Sequence, residues 1–234
     1  MLKEYVESSN YIVFFGGAGV STESGIPDFR SVDGLYNQKW KYPPEVMISR
    51  TFFEEKTAEF FEFYKAKLLH LDAQPNSAHL ALAALEKAGK LKAVITQNID
   101  GLHQKAGSKN VIELHGSVYR NYCVSCNTAY EVEKITEASD TPLCNCDGII
   151  RPDVVLYEET LDDNMITKAI NHIRRADMLI IGGTSLGVYP AAGLIQYFAG
   201  DKLVLINKTA THIDNDADLV IRENIGDALL FFLT

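Results

Sequence analysis

Short apolar runs rich in β-branched residues recur along the chain and alternate with segments of helical period. The runs Tyr11–Phe15, Ala93–Thr96, Val111–Leu114, Met178–Ile181, Leu203–Ile206 and Leu219–Ile221 read as strands. Their apolarity is continuous rather than alternating, which predicts strands buried on both faces of a parallel sheet. Between them, Ser77 to Ala88 carries Leu80, Leu82 and Leu85 on one helical face, with Gly89 as its stop. Asp162 to Arg175 repeats the pattern with Met165, Ile166, Ala169, Ile170 and Ile173. Asp162 suits the N-cap, and two arginines oppose the dipole in the last turn. Tyr189–Phe198 and Asp227–Leu233 are two further helical segments. Such strand–helix alternation implies an α/β fold with a doubly wound parallel sheet.

Two stretches break the alternation. Residues 36–71 read as helical, with an aromatic run at Phe52, Phe53, Phe60, Phe61, Phe63 and Tyr64, and residues 119–150 hold polar turns and all four cysteines. The two are expected to pack together as a small domain (36–71 and 119–150). The α/β domain then takes 1–35, 72–118 and 151–234. Cys123-x-x-Cys126 and Cys144-x-Cys146 fit a metal site better than disulfides, since they cluster and no export signal is evident. Four thiolates close a tetrahedral zinc shell and leave no position for substrate, so the site reads as structural. The one-residue spacing of the second pair leaves the fourth ligand open, and redox-active cysteines are the alternative.

Composition narrows the function classes. With 47% hydrophobic and 23% charged residues the chain is expected to fold as an ordinary globular protein. A net charge of −9 argues against a nucleic-acid partner, because phosphate neutralisation needs clustered Lys and Arg. No apolar run approaches the roughly 20 residues of a membrane helix. The expectation is a soluble, cytoplasmic, monomeric protein with no membrane partner.

In an open α/β sheet, ligands collect beyond the carboxyl ends of the strands. Five of the six runs are followed there by glycine or polar residues: Gly16-Gly17-Ala18-Gly19-Val20-Ser21-Thr22, Gln97-Asn98-Ile99-Asp100-Gly101, His115-Gly116, Gly182-Gly183-Thr184-Ser185 and Asn207-Lys208. Gly17-x-Gly19-x-x-Thr22 approximates a dinucleotide fingerprint with Thr22 at the third glycine. The acidic residue that normally follows such a fingerprint is not evident, which disfavours a hydride-transfer dehydrogenase; Asn207 could hold a ribose hydroxyl instead. Ser24 to Arg30 suits a lid over a cofactor, or a surface loop with a local Asp28–Arg30 ion pair. His115, at a strand end beside the nucleotide loop, suits a general base, since imidazole titrates near neutrality.

Together these residues resemble the sirtuin family, bacterial type. The resemblance runs from about Tyr11 to Asn207. It rests on Gly17-Ala18-Gly19-Val20-Ser21, Gly25-Ile26-Pro27-Asp28-Phe29-Arg30, Thr96-Gln97-Asn98-Ile99-Asp100, His115-Gly116, the four cysteines and Gly183-Thr184-Ser185. It implies a Rossmann-like large domain, a smaller helical plus zinc-ribbon domain, NAD as co-substrate and structural zinc. It further implies removal of acetyl or other acyl groups from lysine in proteins or peptides. By family pattern, Ala18, Thr22, Arg30, Gln97, Thr184, Ser185, Asn207 and Ile225 contact NAD. Phe29 screens the reaction centre, and Asn98, Ile99 and Asp100 line the nicotinamide pocket. The substrate backbone adds as a strand between Val155-Leu156-Tyr157 and Gly187-Val188-Tyr189. The acyl oxygen attacks the ribose carbon that carries nicotinamide, His115 removes a proton relayed through ribose hydroxyls, and water completes transfer. Nicotinamide, free lysine and O-acyl-ADP-ribose result.

Family members that favour succinyl or malonyl groups carry a Tyr-x-x-Arg pair; the corresponding residues here are Tyr64 and Lys67. A lysine cannot fork onto a carboxylate as arginine does, which favours neutral acyl groups. The rival readings are protein ADP-ribosylation and a zinc-ribbon binding module on a degenerate nucleotide fold.

Overall fold

The computed structural model describes residues 1–29, 31, 34–37 and 39–233. Among them lie strands β1 (Ile12–Gly16), β2 (Leu91–Thr96), β3 (Val111–Glu113), β4 (Gly116–Cys123), β5 (Ala129–Tyr130), β6 (Ile150–Val154), β7 (Met178–Gly182), β8 (Lys202–Ile206) and β9 (Leu219–Ile221). Six of them form one parallel sheet in the order β3-β2-β1-β7-β8-β9. All six correspond to the apolar runs, with ends displaced by at most two residues. The sheet is buried on both sides: Ile12 and Phe14 enter one core, Val13 and Phe15 the other. Each fully buried side chain of this size contributes about 1.5–3 kcal/mol. Among the described residues no helix is long and apolar enough to cross a membrane.

The helices at Ser77–Lys87 and Asp163–Arg175 form where their caps place them. The Asn76 side chain accepts from Ala78 N at 2.9 Å and its backbone N–H donates in return to His79 Nδ1 at 3.3 Å, while Gly89 takes φ +73° after the last turn. Asp162 accepts from the N–H groups of Asn164 and Met165. The segment expected as a helix from Tyr189 to Phe198 is instead a 3-10 run at Ala191–Tyr197. Pro190 keeps Tyr189 out of the helical region, and Gly193 weakens the interior. The last helix begins at Ile225, two residues before the expected start, and passes into a 3-10 turn at Leu230–Phe232.

The two interrupting stretches share a third core. Helices Pro44–Met47, Arg50–Glu55 and Thr57–Lys67 pack Phe52, Phe53, Phe60, Phe61, Phe63 and Tyr64 against Val118, Cys123, Ile150, Val154 and Leu156. Residues 39–43 are not helical, because Pro43 and Pro44 oppose it. Around the cysteines, β5, β4 and β6 form a separate antiparallel sheet in that order. These strands escaped the pattern reading because β4 is irregular between Ser117 and Asn121 and β6 contains Pro152.

β1 and β7 lie side by side with Gly16 opposite Gly182, at the point where strand order reverses. The loops leaving them touch backbone to backbone: Gly17 N donates to Gly182 O at 3.3 Å and Gly19 N to Gly183 O at 2.8 Å. A Cβ on Gly19 would stand 2.8 Å from Gly183 Cα, and one on Gly183, at φ +60°, only 2.5 Å from Val20 N. Gly183→Ala therefore combines a left-handed strain with a backbone clash and is expected to lose about 2–4 kcal/mol. Gly89→Ala, left-handed but with open space around it, should lose only about 1–2 kcal/mol. Guanidinium unfolding of the two variants would expose an error if their losses were equal.

Candidate active site at the carboxyl edge of the sheet

The loop after β1 makes two 3-10 turns, Ala18–Val20 and Thr22–Ser24, closed by Gly25 at φ +81°. Thr22 Oγ1 donates to Gly19 O at 3.0 Å, so its hydroxyl stabilises the loop. Among the described residues the N–H groups of Ala18 and Thr184 have no partner. Two free backbone donors at the switch point of the sheet suit an anion, and the residues present fit a pyrophosphate.

The loop after β2 is bound to both glycine turns. Gln97 N donates to Gly16 O at 3.0 Å, and Gln97 Nε2 to Thr184 Oγ1 at 3.2 Å. Asn98 is buried, with its N–H on Thr96 Oγ1 at 3.0 Å and its Nδ2 on Ser21 Oγ at 3.0 Å. Ser21 in turn donates to Asp100 Oδ2 at 2.6 Å, while Asp100 Oδ1 accepts from Leu102 N at 2.9 Å. A hydroxyl has one proton, so this chain has one direction: amide to hydroxyl to carboxylate. Ile99 is tied in through its carbonyl, which accepts from Val118 N at 3.0 Å.

His115 follows β3 and is half-buried. Its Nδ1 lies 3.0 Å from Gln97 O. A carbonyl only accepts, so Nδ1 carries the proton and Nε2 the basic lone pair. Burial pushes the imidazole below its ordinary value of 6.5, and the bond to Gln97 opposes that shift. Near neutrality the ring is uncharged, the state a proton acceptor requires.

At the other end of the sheet, Asn207 is buried after β8. Its Nδ2 donates to Thr209 O at 3.0 Å, which leaves the amide oxygen as the group open to a ligand. Arg222 holds this loop by donating to the carbonyls of Asn207 and Thr209, both at 2.9 Å, and by pairing with Asp214. Ile225 is buried with Cδ1 close over Gly182 and Gly183. Phe29 is half-buried with its ring edge-on to Tyr36 at 5.6 Å, and Ser185 is exposed. Arg30 lies outside the described residues.

The two segments expected to flank a peptide differ. The N–H groups of Val155, Leu156 and Tyr157 already bond to His115 O, Glu159 Oε2 and Ile48 O. Among the described residues the N–H groups of Gly187, Val188 and Tyr189 have no partner. Tyr64 is fully buried, nearly parallel to Phe60 at 5.7 Å.

Several contributors escaped the sequence reading. Ser21 and Thr96 stand inside the recognised motifs, yet their bonding role follows only from the meeting of two loops. Asn76 Nδ2 reaches Val20 O at 2.8 Å and Ser24 Oγ at 3.0 Å, bracing the first loop from a helix cap. His79 and His103 are buried with ring centroids 4.8 Å apart, and burial pushes them down to about 4 and about 3.

The four cysteine Sγ atoms lie within 4.8 Å of one another, with Cys123–Cys146 at 3.5 Å and Cys126–Cys144 at 3.6 Å. These separations are far beyond a disulfide bond, and a tetrahedral zinc with Zn–S of about 2.3 Å asks for Sγ atoms about 3.8 Å apart. Asn127 at φ 57° and Asp147 at φ 61° turn the two knuckles, and a Cβ on Gly148 would meet Cys123 Sγ at 2.6 Å. The donor set fits zinc.

A family model described as the Sir2 family matches residues 17–190. A Clostridium perfringens protein named NAD-dependent protein deacetylase is 63% identical over 232 residues, spanning 97% of this chain and 95% of its own. A solved Sir2 structure with a p53 peptide and NAD+ matches at a TM-score of 0.88 and 42% identity, over 99% of this chain and 95% of that one. Another, Sir2 bound to acetylated peptide, matches at 0.88 and 41% over 99% and 95%. The chain belongs to the Sir2 family, the sirtuins.

Proposed function

We propose that the protein is an NAD-dependent protein-lysine deacetylase acting in the cytoplasm, with His115 as its general base. The observation that carries this is the imidazole fixed by the Gln97 carbonyl, on the same loop that places the Asn98–Ser21–Asp100 chain. The division into an α/β lobe (1–35, 72–118, 151–234) and a smaller lobe (36–71, 119–150) belongs to the same reading. It is supported by their separate apolar cores.

When bound, NAD supplies a ribose carbon whose bond to nicotinamide breaks as the acyl oxygen attacks. Ala18 and Thr184 offer backbone donors to its phosphates, and Thr22 and Ser185 stand on the same two loops; Arg30 is assigned to NAD by the family resemblance alone. Ile225 packs along the cofactor, and the Asn207 amide oxygen accepts from a ribose hydroxyl. Gln97 braces the loop through Thr184. Asp100 accepts from the carboxamide, Asn98 and Ile99 shape that pocket, and Phe29 keeps water out. His115 Nε2 takes the proton of a ribose hydroxyl. A peptide strand enters between 155–157 and 187–189, pairing mainly with the open N–H groups of Gly187, Val188 and Tyr189. The products are free lysine, nicotinamide and the O-acyl-ADP-ribose.

Lys67 Nζ sits 5.4 Å over the Trp40 ring, and the Tyr64 phenol is enclosed in the third core. A carboxylated acyl group would find no fork there. Acetyl-peptide turnover should exceed succinyl-peptide turnover by at least roughly tenfold in kcat/KM, the scale of one charge-assisted bond; the reverse order would refute the acyl assignment.

His115→Ala should lower kcat by about 10²–10⁴-fold with an unchanged circular-dichroism spectrum. Wild-type activity in that variant would remove the base. Since only the neutral ring accepts a proton, kcat/KM should fall as pH drops through a value below 6.5. An acid limb above 6.5 would contradict the burial argument. Chelation should release one zinc per chain and lower Tm, and Cys123→Ser should bind none; full stoichiometry in that variant would exclude Cys123 as a ligand.

A further inference from the structure

A groove of about 410 Å³ lies beside the expected peptide path and takes no part in the chemistry above. Its apolar wall is Tyr42, Val46, Phe52 and Tyr157; Glu45, Glu55 and Glu158 stand on it with one cation, Lys56. That cation is already engaged: Lys56 Nζ donates to Tyr42 Oη at 2.7 Å, stands 4.6 Å over the same ring and lies 3.9 Å from Glu59. The neighbouring Arg50 is paired with Glu54 at 2.8 Å. The groove is thus greasy along its wall and acidic around it.

It is continuous with the peptide edge. Tyr157 ends the 155–157 segment and also lines the groove. Its backbone bridges to Ser49, with Tyr157 N on Ile48 O at 3.1 Å and Arg50 N on Tyr157 O at 3.0 Å. Glu158 follows at φ 75° with its carboxylate on Thr51 N at 2.9 Å and Thr51 Oγ1 at 2.8 Å, which holds the rim in place.

We propose that this groove is a specificity subsite for a lysine or arginine side chain of the substrate, a few residues from the acyl-lysine. An apolar wall with acidic groups matches an aliphatic stem that carries a charged head. An acidic side chain would meet three like charges, and a purely apolar one would add nothing to offset them. The assignment rests on the deacetylase reading and adds a rule about which acyl-lysines are chosen.

The test is nicotinamide release from acetyl-lysine peptides with Arg, Ala or Glu placed in turn at each of the four positions on either side. One position should favour Arg over Ala by roughly fivefold in kcat/KM, carried by KM, and disfavour Glu; this is the scale of solvent-exposed ion pairs. That ratio should approach one at about 1 M salt, where screening is short-ranged. It should also approach one in the double variant Glu45→Gln/Glu55→Gln and turn towards Glu in Glu55→Lys. Because the readout is a ratio between peptides on one enzyme, a general loss of folding or activity cancels. If no position favours Arg, or the preference survives both variants, the subsite is refuted while deacetylation stands. If the alanine peptides release no nicotinamide at all, both readings fall.

Discussion

The arrangement depends on one contact, the backbone of Gly19 against the backbone of Gly183. It exists because β1 and β7 run parallel with Gly16 and Gly182 in register, so the turns leaving them occupy the same few cubic ångströms. Side chains there would force the turns apart. That would separate Ala18 N from Thr184 N and draw Gln97 off the Thr184 hydroxyl. The two free N–H groups and the position of the loop after β2 are therefore consequences of a single close approach.

The polar groups behind that contact are buried, and burial is costly unless every donor finds an acceptor. Asn98, Ser21 and Asp100 meet the condition as one directional chain that begins on the loop after β2, crosses to the loop after β1 and returns. Loss of Ser21 would leave the Asn98 amide without its acceptor and Asp100 without its hydroxyl donor. His115 sits under a related tension: burial favours its neutral form, and the Gln97 carbonyl selects which nitrogen keeps the proton. The two effects together favour a neutral imidazole of defined tautomer.

The third core and the antiparallel sheet around the cysteines do a different job. Cys123 and Cys144 belong to that core beside Ile135 and Ile150, so a metal on the four thiolates would fasten the knuckles to it. The Arg151–Glu159 pair, with Nη1 on Oε1 at 2.8 Å and Nη2 on Oε2 at 3.0 Å, orders the turn after Leu156. That turn carries Tyr157 towards the helices at 44–55. The peptide edge is thereby joined to the groove whose charges we assign to substrate choice.

The six core strands were legible in the amino-acid sequence, because a strand buried on both faces must be apolar at every position. The glycine turns, the histidine after β3 and the four cysteines were legible for a related reason: few residue types satisfy those backbone angles or that chemistry. Strands β4, β5 and β6 were not, since β4 is irregular between Ser117 and Asn121, β5 is two residues long and β6 carries Pro152. The bonding of Ser21 to Asp100, the bracing of the first loop by Asn76, the saturated donors of 155–157 and the enclosure of Tyr64 were decided only by tertiary structure. Each depends on segments far apart in the chain meeting in space, and local residue pattern holds no information about which of them will meet.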